Sequence, residues 1–145
     1  MPRMADIVQL TSADAETLRQ VHALLRQLSS RNKEISLEYL REVLQSPQTE
    51  VWVAKENDTV IGMATLVLML KPSGIVGRVE DVVVDEGQRG KGLGRLLMER
   101  LIERGKVRGA ATLQLSSRPS REAANALYQK LGFKLHETNS YYLNL

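Results

Sequence analysis

The sequence predicts a mixed α+β fold, in which helices flank a mostly antiparallel sheet, and three observations carry that prediction. Apolar residues recur at helical spacing in several segments, and short β-rich runs bounded by turn residues lie between them. A strand, a glycine-rich turn, a helix and a second strand follow one another between Val79 and Leu115, which is the pattern of a crossover between parallel strands. The expected order is β-α-α-β-β-β-α-β-α-β-β. At 145 residues and 43% hydrophobic, the stretch 1–145 reads as one domain large enough to bury its own core.

Ile7 to Leu10 reads as a short strand, after which Thr11 or Ser12 can cap a helix carrying Leu18, Val21, Leu24, Leu25 and Leu28. A second helix starts at Ser36, with Leu37, Leu40, Val43 and Leu44 on one face, and ends at Ser46-Pro47. Val51 to Ala54, the turn Asn57-Asp58 and the apolar run Val60 to Leu70 form a hairpin. Lys71-Pro72-Ser73-Gly74 breaks the chain before another strand, Val79 to Val84. The long helix beyond it carries Leu93, Leu96, Leu97, Leu101 and Ile102 and stops at Gly109. Thr112 to Leu115 reads as a strand, Ser120 to Leu131 as a helix ended by Gly132, and Phe133 onward as one or two closing strands.

Composition removes several kinds of chemistry. With no cysteine there is no disulfide, thiolate metal site or thiol nucleophile. His22 and His136 have no metal-binding spacing, so no metal is expected. Met1 to Leu10 contains Asp6 and lacks the apolar core of an export signal, and Val60 to Leu70 is too short to span a bilayer, so a cytoplasmic protein with no membrane partner is expected. The net charge is +3. Its densest positive cluster, Arg89, Lys91, Arg95, Arg100, Arg104, Lys106 and Arg108, suits either a polyanion or a solvated helix face.

The turn Asp85-Glu86-Gly87-Gln88-Arg89-Gly90-Lys91-Gly92-Leu93-Gly94-Arg95 sits where a strand hands over to a helix. Glycines there let backbone N–H groups approach phosphate oxygens at the positive end of the helix. The nucleotide-hydrolase loop does not fit, because Asp85 stands where it needs glycine and Gly92 where it needs a hydroxyl. The dinucleotide pattern fails in both registers, at Arg95 and at Leu97.

The stretch Gln88-Arg89-Gly90-Lys91-Gly92-Leu93-Gly94 instead resembles the pyrophosphate loop of the GNAT acetyltransferases: Gln or Arg, two residues, Gly, one residue, then Gly or Ala. Arg89, Gly92 and Gly94 fill that pattern. Glu80-Asp81-Val82-Val83-Val84-Asp85 looks like the family's central strand, and Asn125-Ala126-Leu127-Tyr128-Gln129-Lys130-Leu131-Gly132-Phe133 is similar to its late helix ending in Leu-Tyr and Gly-Phe. The three appear in the family's order, and the resemblance covers Val51 to Phe133.

The resemblance implies an N-acetyltransferase that moves an acetyl group from acetyl-CoA to a primary amine by direct attack, with no metal. The acceptor is left open among small amines, amino sugars and protein amines. Arg89, Gly90, Lys91, Gly92, Leu93, Gly94 and Arg95 would hold the pyrophosphate, and backbone groups of Val82, Val83 and Val84 the pantetheine arm and the oxyanion. Asn125 would bond the pantetheine amide, and Arg118 or Arg121 a coenzyme phosphate. Glu80 would serve as base or water-orienting group, with a structural ion pair as the other reading, and Tyr128 as the acid that protonates the leaving thiolate. Regular alternation along the strand puts Glu80 on one face with Val82 and Val84, and Asp81 on the other with Val79 and Val83. A non-catalytic acyl-CoA-binding module is the competing reading. A nucleic-acid partner would account for the arginines and not for the placement of the glycines. A homodimer is compatible with the resemblance.

Overall fold

β-Branched and long apolar residues dominate the strands because they fill a pleated surface covered on both faces. The computed structural model describes residues 5–31 and 33–145, so residues 1–4 of the segment read for an export signal lie outside it. The elements are β1 (Asp6–Leu10), α1 (Ala15–Leu28), α2 (Leu37–Gln45), β2 (Thr49–Glu56), β3 (Thr59–Lys71), β4 (Gly74–Val84), a 3-10 turn (Glu86–Gln88), α3 (Leu93–Val107), β5 (Thr112–Gln114) and α4 (Glu122–Lys130). They fall into two compact units, one through Leu115 and one over Ser116–Leu145.

In the first unit the described strands form a five-stranded sheet in chain order. β1 to β4 are antiparallel neighbours, and β5 joins β4 in parallel after the crossover through α3. Val21 and Leu24 of α1 and Leu40 of α2 pack with Val51, Val53, Met63 and Val83 on one face. Leu93 of α3 packs with Ala54, Ile61 and Val84 on the other. Leu97, Met98 and Leu101 are fully buried. No helix of the described residues is long and apolar enough to cross a membrane.

Two local expectations change. α1 is capped by Asp14, whose Oδ1 accepts from the Thr17 N–H at 2.8 Å and the Thr17 hydroxyl at 2.9 Å, rather than by Thr11 or Ser12. A carboxylate also complements the positive helix end, and starting the helix at Ala15 keeps Ala13 in the core. The closing strands expected from Phe133 onward do not form, since residues 133–145 carry neither helix nor strand. A strand persists only where its backbone groups are paired and its apolar side chains covered, and Leu135, Tyr141, Tyr142 and Leu143 are all exposed.

β5 is only three residues long, yet it is held by close packing. A Cβ on Gly77 of β4 would lie 2.4 Å, and one on Gly105 of α3 2.9 Å, from the Leu113 side chain, so both glycines make room for it. α3 then ends on Gly109 at φ +82°, with the Gly109 N–H donating to Lys106 O and the Ala110 N–H to Gly105 O, a Schellman stop.

An ionic cluster also ties α3 to the sheet. Glu50, at the start of β2, is 2% exposed. Arg104 reaches it with Nε at 2.8 Å and Nη2 at 3.0 Å, Arg108 with Nη1 at 2.6 Å, and Trp52 with Nε1 at 3.0 Å. The Arg100 guanidinium lies 4.7 Å from the centre of the Trp52 ring. Three cations of the basic cluster are therefore turned toward the sheet. Burial alone would raise the Glu50 pKa, but the hydrogen bonds from Arg104, Trp52 and Arg108 outweigh it and hold the carboxyl at about 2, against 4.5 when free. A carboxyl lowered on folding stabilises the fold above its free value, and that contribution fades as pH falls toward the folded value. Wild-type protein should therefore lose about 3 kcal/mol of stability from this group between roughly pH 5 and pH 2. Glu50→Gln should cost about 3–5 kcal/mol at neutral pH and flatten that acid limb, as read by urea unfolding across pH. An unaltered acid limb in the variant would show that the clamp is not the source.

Candidate active site

The site begins with an irregularity in β4. Met63 pairs with Val83 and Thr65 with Glu80, so Asp81 and Val82 together oppose the single residue Ala64. This β-bulge places Asp81 at φ +51°, a left-handed conformation that Asp tolerates better than most side chains. The expected alternation is corrected by it. Glu80 shares its face with Val83, Met63 and Thr65, and Val84 shares the opposite face with Val79, because the extra residue inverts the order of sides.

Two acidic residues, Glu80 and Asp81, lie at the bulge. Glu80 Oε1 accepts from Arg78 Nε at 2.6 Å, both partners being partly exposed, so the ion pair foreseen for Glu80 exists. Desolvation raises the pKa of Asp81 above its usual value although its side chain keeps contact with solvent, and the charge on Glu80 adds to the rise.

Past Arg78, β4 loses its neighbour. The ladder to β5 covers only Val76 with Thr112, Gly77 with Leu113 and Arg78 with Gln114. From Val79 to Val84 the edge of β4 away from β3 runs on beyond the last of these pairs, which leaves main-chain groups there for another extended chain. The Val84 carbonyl accepts from Arg89 Nε at 3.2 Å.

The glycine turn follows. Gly90 and Gly92 stand at φ +82° and +80°, and a Cβ on either would meet nothing within 4 Å. Backbone conformation, and not crowding by the chain, accounts for glycine at both positions. Gly92 is the N-cap of α3, and no side chain caps the helix. The first turn of α3 has no acidic residue, and the earliest main-chain bond back to the cap runs from the Leu96 N–H to Gly92 O. The N–H groups of Leu93, Gly94 and Arg95 thus face outward at the positive end of a 15-residue helix, an arrangement that binds anions. Arg89, Lys91 and Arg95 are exposed around it; Lys91 Nζ donates to Gln88 Oε1 at 2.8 Å and Arg95 Nε to Glu99 Oε1 at 2.7 Å.

One residue that sequence reasoning passed over holds this turn. Gln27 of α1 donates from Nε2 to Asp85 Oδ1 at 2.8 Å and accepts the Glu86 N–H on Oε1 at 2.8 Å. A glutamine on the polar side of a helix carries no signal of such a contact.

In the second unit, α4 ends by the geometry its sequence announces. Gly132 stands at φ +100°, its N–H donates to Gln129 O, and the Phe133 N–H donates to Tyr128 O at 3.0 Å. This Schellman stop brings the Phe133 ring edge-on to Tyr128, with centroids 6.1 Å apart. The spacing of Tyr128 and Gly132-Phe133 is therefore that of a helix cap. Burial pushes the Tyr128 phenol above its usual pKa, and the charge of Arg121 offsets part of the rise. Asn125 Nδ2 donates to Arg118 O at 2.9 Å, tying the start of α4 to the turn before it. Arg121 is the N-cap residue of α4 and makes no side-chain capping bond.

Comparison with known proteins agrees with this geometry. Residues 18–133 match the Acetyltransferase (GNAT) family. Over 92 residues the chain is 36% identical to a glucosamine 6-phosphate N-acetyltransferase of Trypanosoma brucei brucei, covering 61% of this chain and 60% of that one. Over 82 residues it is 40% identical to an L-2,4-diaminobutyric acid acetyltransferase of Marinococcus halophilus, covering 57% and 47%. The matched region thus spans 60% or less of these relatives' own length. The crystal structure of an acetyltransferase from Trypanosoma brucei superposes with a TM-score of 0.80 at 27% identity, covering 97% of this chain and 99% of that one. With the glycine turn, the uncapped helix end and the parted strands in the family's order, the chain belongs to the GNAT acetyltransferase family.

Proposed function

We propose that this protein is an N-acetyltransferase that takes the acetyl group of acetyl-CoA and passes it to a primary amine. The observation that carries the reading is the conjunction, within one unit, of a β4 edge that has outrun β5 and an uncapped, glycine-led N-terminus of α3 at the end of the same strand. A coenzyme A molecule has the matching shape, with an extended amide-bearing arm for the strand and a pyrophosphate for the helix end.

In this reading the N–H groups from Gly90 to Arg95 bind the pyrophosphate, with Arg89, Lys91 and Arg95 adding charge. Main-chain groups of Val82 to Val84 align the pantetheine arm, and one N–H among them donates to the carbonyl oxygen as it becomes an oxyanion. The amine nitrogen attacks the thioester carbon, the C–S bond breaks, the amine loses one proton and the sulfur gains one. Glu80, held in orientation by Arg78, aligns the amine or a water that receives its proton. Tyr128 donates the proton to sulfur, and a phenol whose pKa is raised by burial keeps that proton at neutral pH. Asn125 is the proposed partner of the pantetheine amide, through the part of its side chain not given to Arg118. Relatives are named for glucosamine 6-phosphate, L-2,4-diaminobutyric acid and an alanine of ribosomal protein bS18, acceptors that share a primary amine and little else.

Three measurements test the reading. Acetyl-CoA at 100 times its Kd should add about 2.7 kcal/mol to stability in thermal unfolding, and no shift at millimolar ligand would overturn the cofactor assignment. Gly92→Ala should cost only about 1 kcal/mol of stability, the penalty of its left-handed φ, while weakening coenzyme A binding at least tenfold because the new methyl occupies the ligand's space. Unchanged affinity in that variant would remove the turn from the site. Tyr128→Phe should lower kcat about 10- to 100-fold in a thiol-release assay with coenzyme affinity within twofold of wild type; full activity would remove Tyr128 from the chemistry.

A further inference from the structure

We infer that Gln27 is a positioning residue for the coenzyme-binding turn, a clamp from α1 that sets the path of Asp85 and Glu86 and so the aim of the N–H groups that follow. The inference rests on the acetyltransferase reading and goes beyond it, since it assigns a role to a helix outside every motif of the coenzyme site. Both ends of the Gln27 amide are used. Nε2 donates to the Asp85 carboxylate and Oε1 accepts the Glu86 N–H, each at 2.8 Å, across 58 and 59 residues of sequence.

The two bonds grip the turn where its direction is decided. The Asp85 N–H already donates to Ile61 O at 2.8 Å and the Gln88 N–H to Asp85 O at 2.8 Å, so the last residue of the strand and the 3-10 turn hinge on Asp85. Gln27 adds a constraint from α1, and from Glu86 the chain has only Gly87 to Lys91 before Gly92, the N-cap of α3. Gln27 is exposed and contributes nothing to the apolar core, so its loss should cost the fold little. What it sets is a direction, and anion binding by converging N–H groups depends steeply on direction.

The pairing also has a polarity that can be reversed. In Gln27→Glu the donor to Asp85 is replaced by a like charge, so the clamp opens. In Gln27→Glu/Asp85→Asn, the new amide at position 85 donates to the new carboxylate at 27, which still accepts the Glu86 N–H. Asp85→Asn alone retains a carbonyl oxygen for Gln27 and serves as control.

The test is isothermal titration of wild type and the three variants with coenzyme A, beside urea unfolding without ligand. Q27E should bind about tenfold more weakly, because coenzyme A must then select the minority of molecules whose turn is correctly aimed. D85N and the double variant should bind within threefold of wild type, and unliganded stability should move little. A Q27E affinity equal to wild type, or a double variant as weak as Q27E, overturns the inference. If Q27E does not fold, Q27A replaces it, with a tenfold loss expected and wild-type affinity overturning the idea. Failure of the wild-type chain itself to bind coenzyme A would sink the acetyltransferase reading, whereas wild-type binding that Q27E leaves intact sinks the clamp alone.

Discussion

A carboxylate taken out of water must be matched by cations, and that requirement at Glu50 organises the first unit. Arg104 answers it from the last turn of α3 and Arg108 from the C-cap, while Arg100 covers the face of Trp52 one turn before Arg104. The far end of α3 is thereby fixed against β2 in both rotation and translation. A helix of 15 residues is a rod of about 22 Å, so fixing one end on charge and its middle on Leu97, Met98 and Leu101 determines where the other end points. The uncapped end of the helix and its ionic anchor are two ends of one lever.

The second constraint is the parting of β4 from β5. A regular sheet would continue the parallel ladder past Arg78 and close the main-chain groups of Val79 to Val84 into it. Two features prevent this. β5 is pinned by Leu113 against Gly77 and Gly105, which holds its short ladder at the first half of β4. The bulge at Asp81 and Val82 then twists the second half of β4 away from regular register. The strain of a left-handed aspartate is tolerated because Met63 with Val83 and Gly62 with Val84 pair again on the far side of it.

Much of this was legible in the sequence, for reasons that differ by residue. The helices and the hairpin follow from periodicity, and the crossover follows from the order of elements, because the strand after a glycine turn and a helix has few other places to go. The glycine turn was readable because strand, glycine and helix adjoin in one stretch, and Gly90 and Gly92 both stand at positive φ. Gly132 was readable as a stop, and it is the same cap that sets the Tyr128 to Phe133 contact. The bulge was not readable, since one inserted residue leaves the composition of Glu80 to Val84 unchanged while exchanging which faces they occupy. The Glu50 clamp and the Gln27 bonds join residues more than fifty positions apart, and no local pattern encodes such a pairing. The closing strands were misjudged for the converse reason: β-propensity from Phe133 onward describes a segment suited to a sheet, but a strand forms only where its backbone is paired, and residues 133–145 carry no strand.

These cases divide along a physical line. Where one residue's role is fixed by its neighbours in sequence, as at a helix cap or a glycine turn, the motif and the structural device are the same object. Where the role is fixed by a partner across the fold, the sequence shows only a residue type compatible with many roles. The basic cluster makes the point within a single helix. Arg95 and Arg104 lie on α3 nine residues apart and look alike as text, but Arg95 is exposed beside the uncapped end, paired with Glu99, and Arg104 is spent on a buried carboxylate. Counting positive charge on that helix therefore overstates its attraction for a polyanion, and the discriminating quantity is the charge that remains at the N-terminal end once the anchor is satisfied. That residual charge sits beside outward-facing N–H groups, which suits a compact phosphate better than a long polymer backbone.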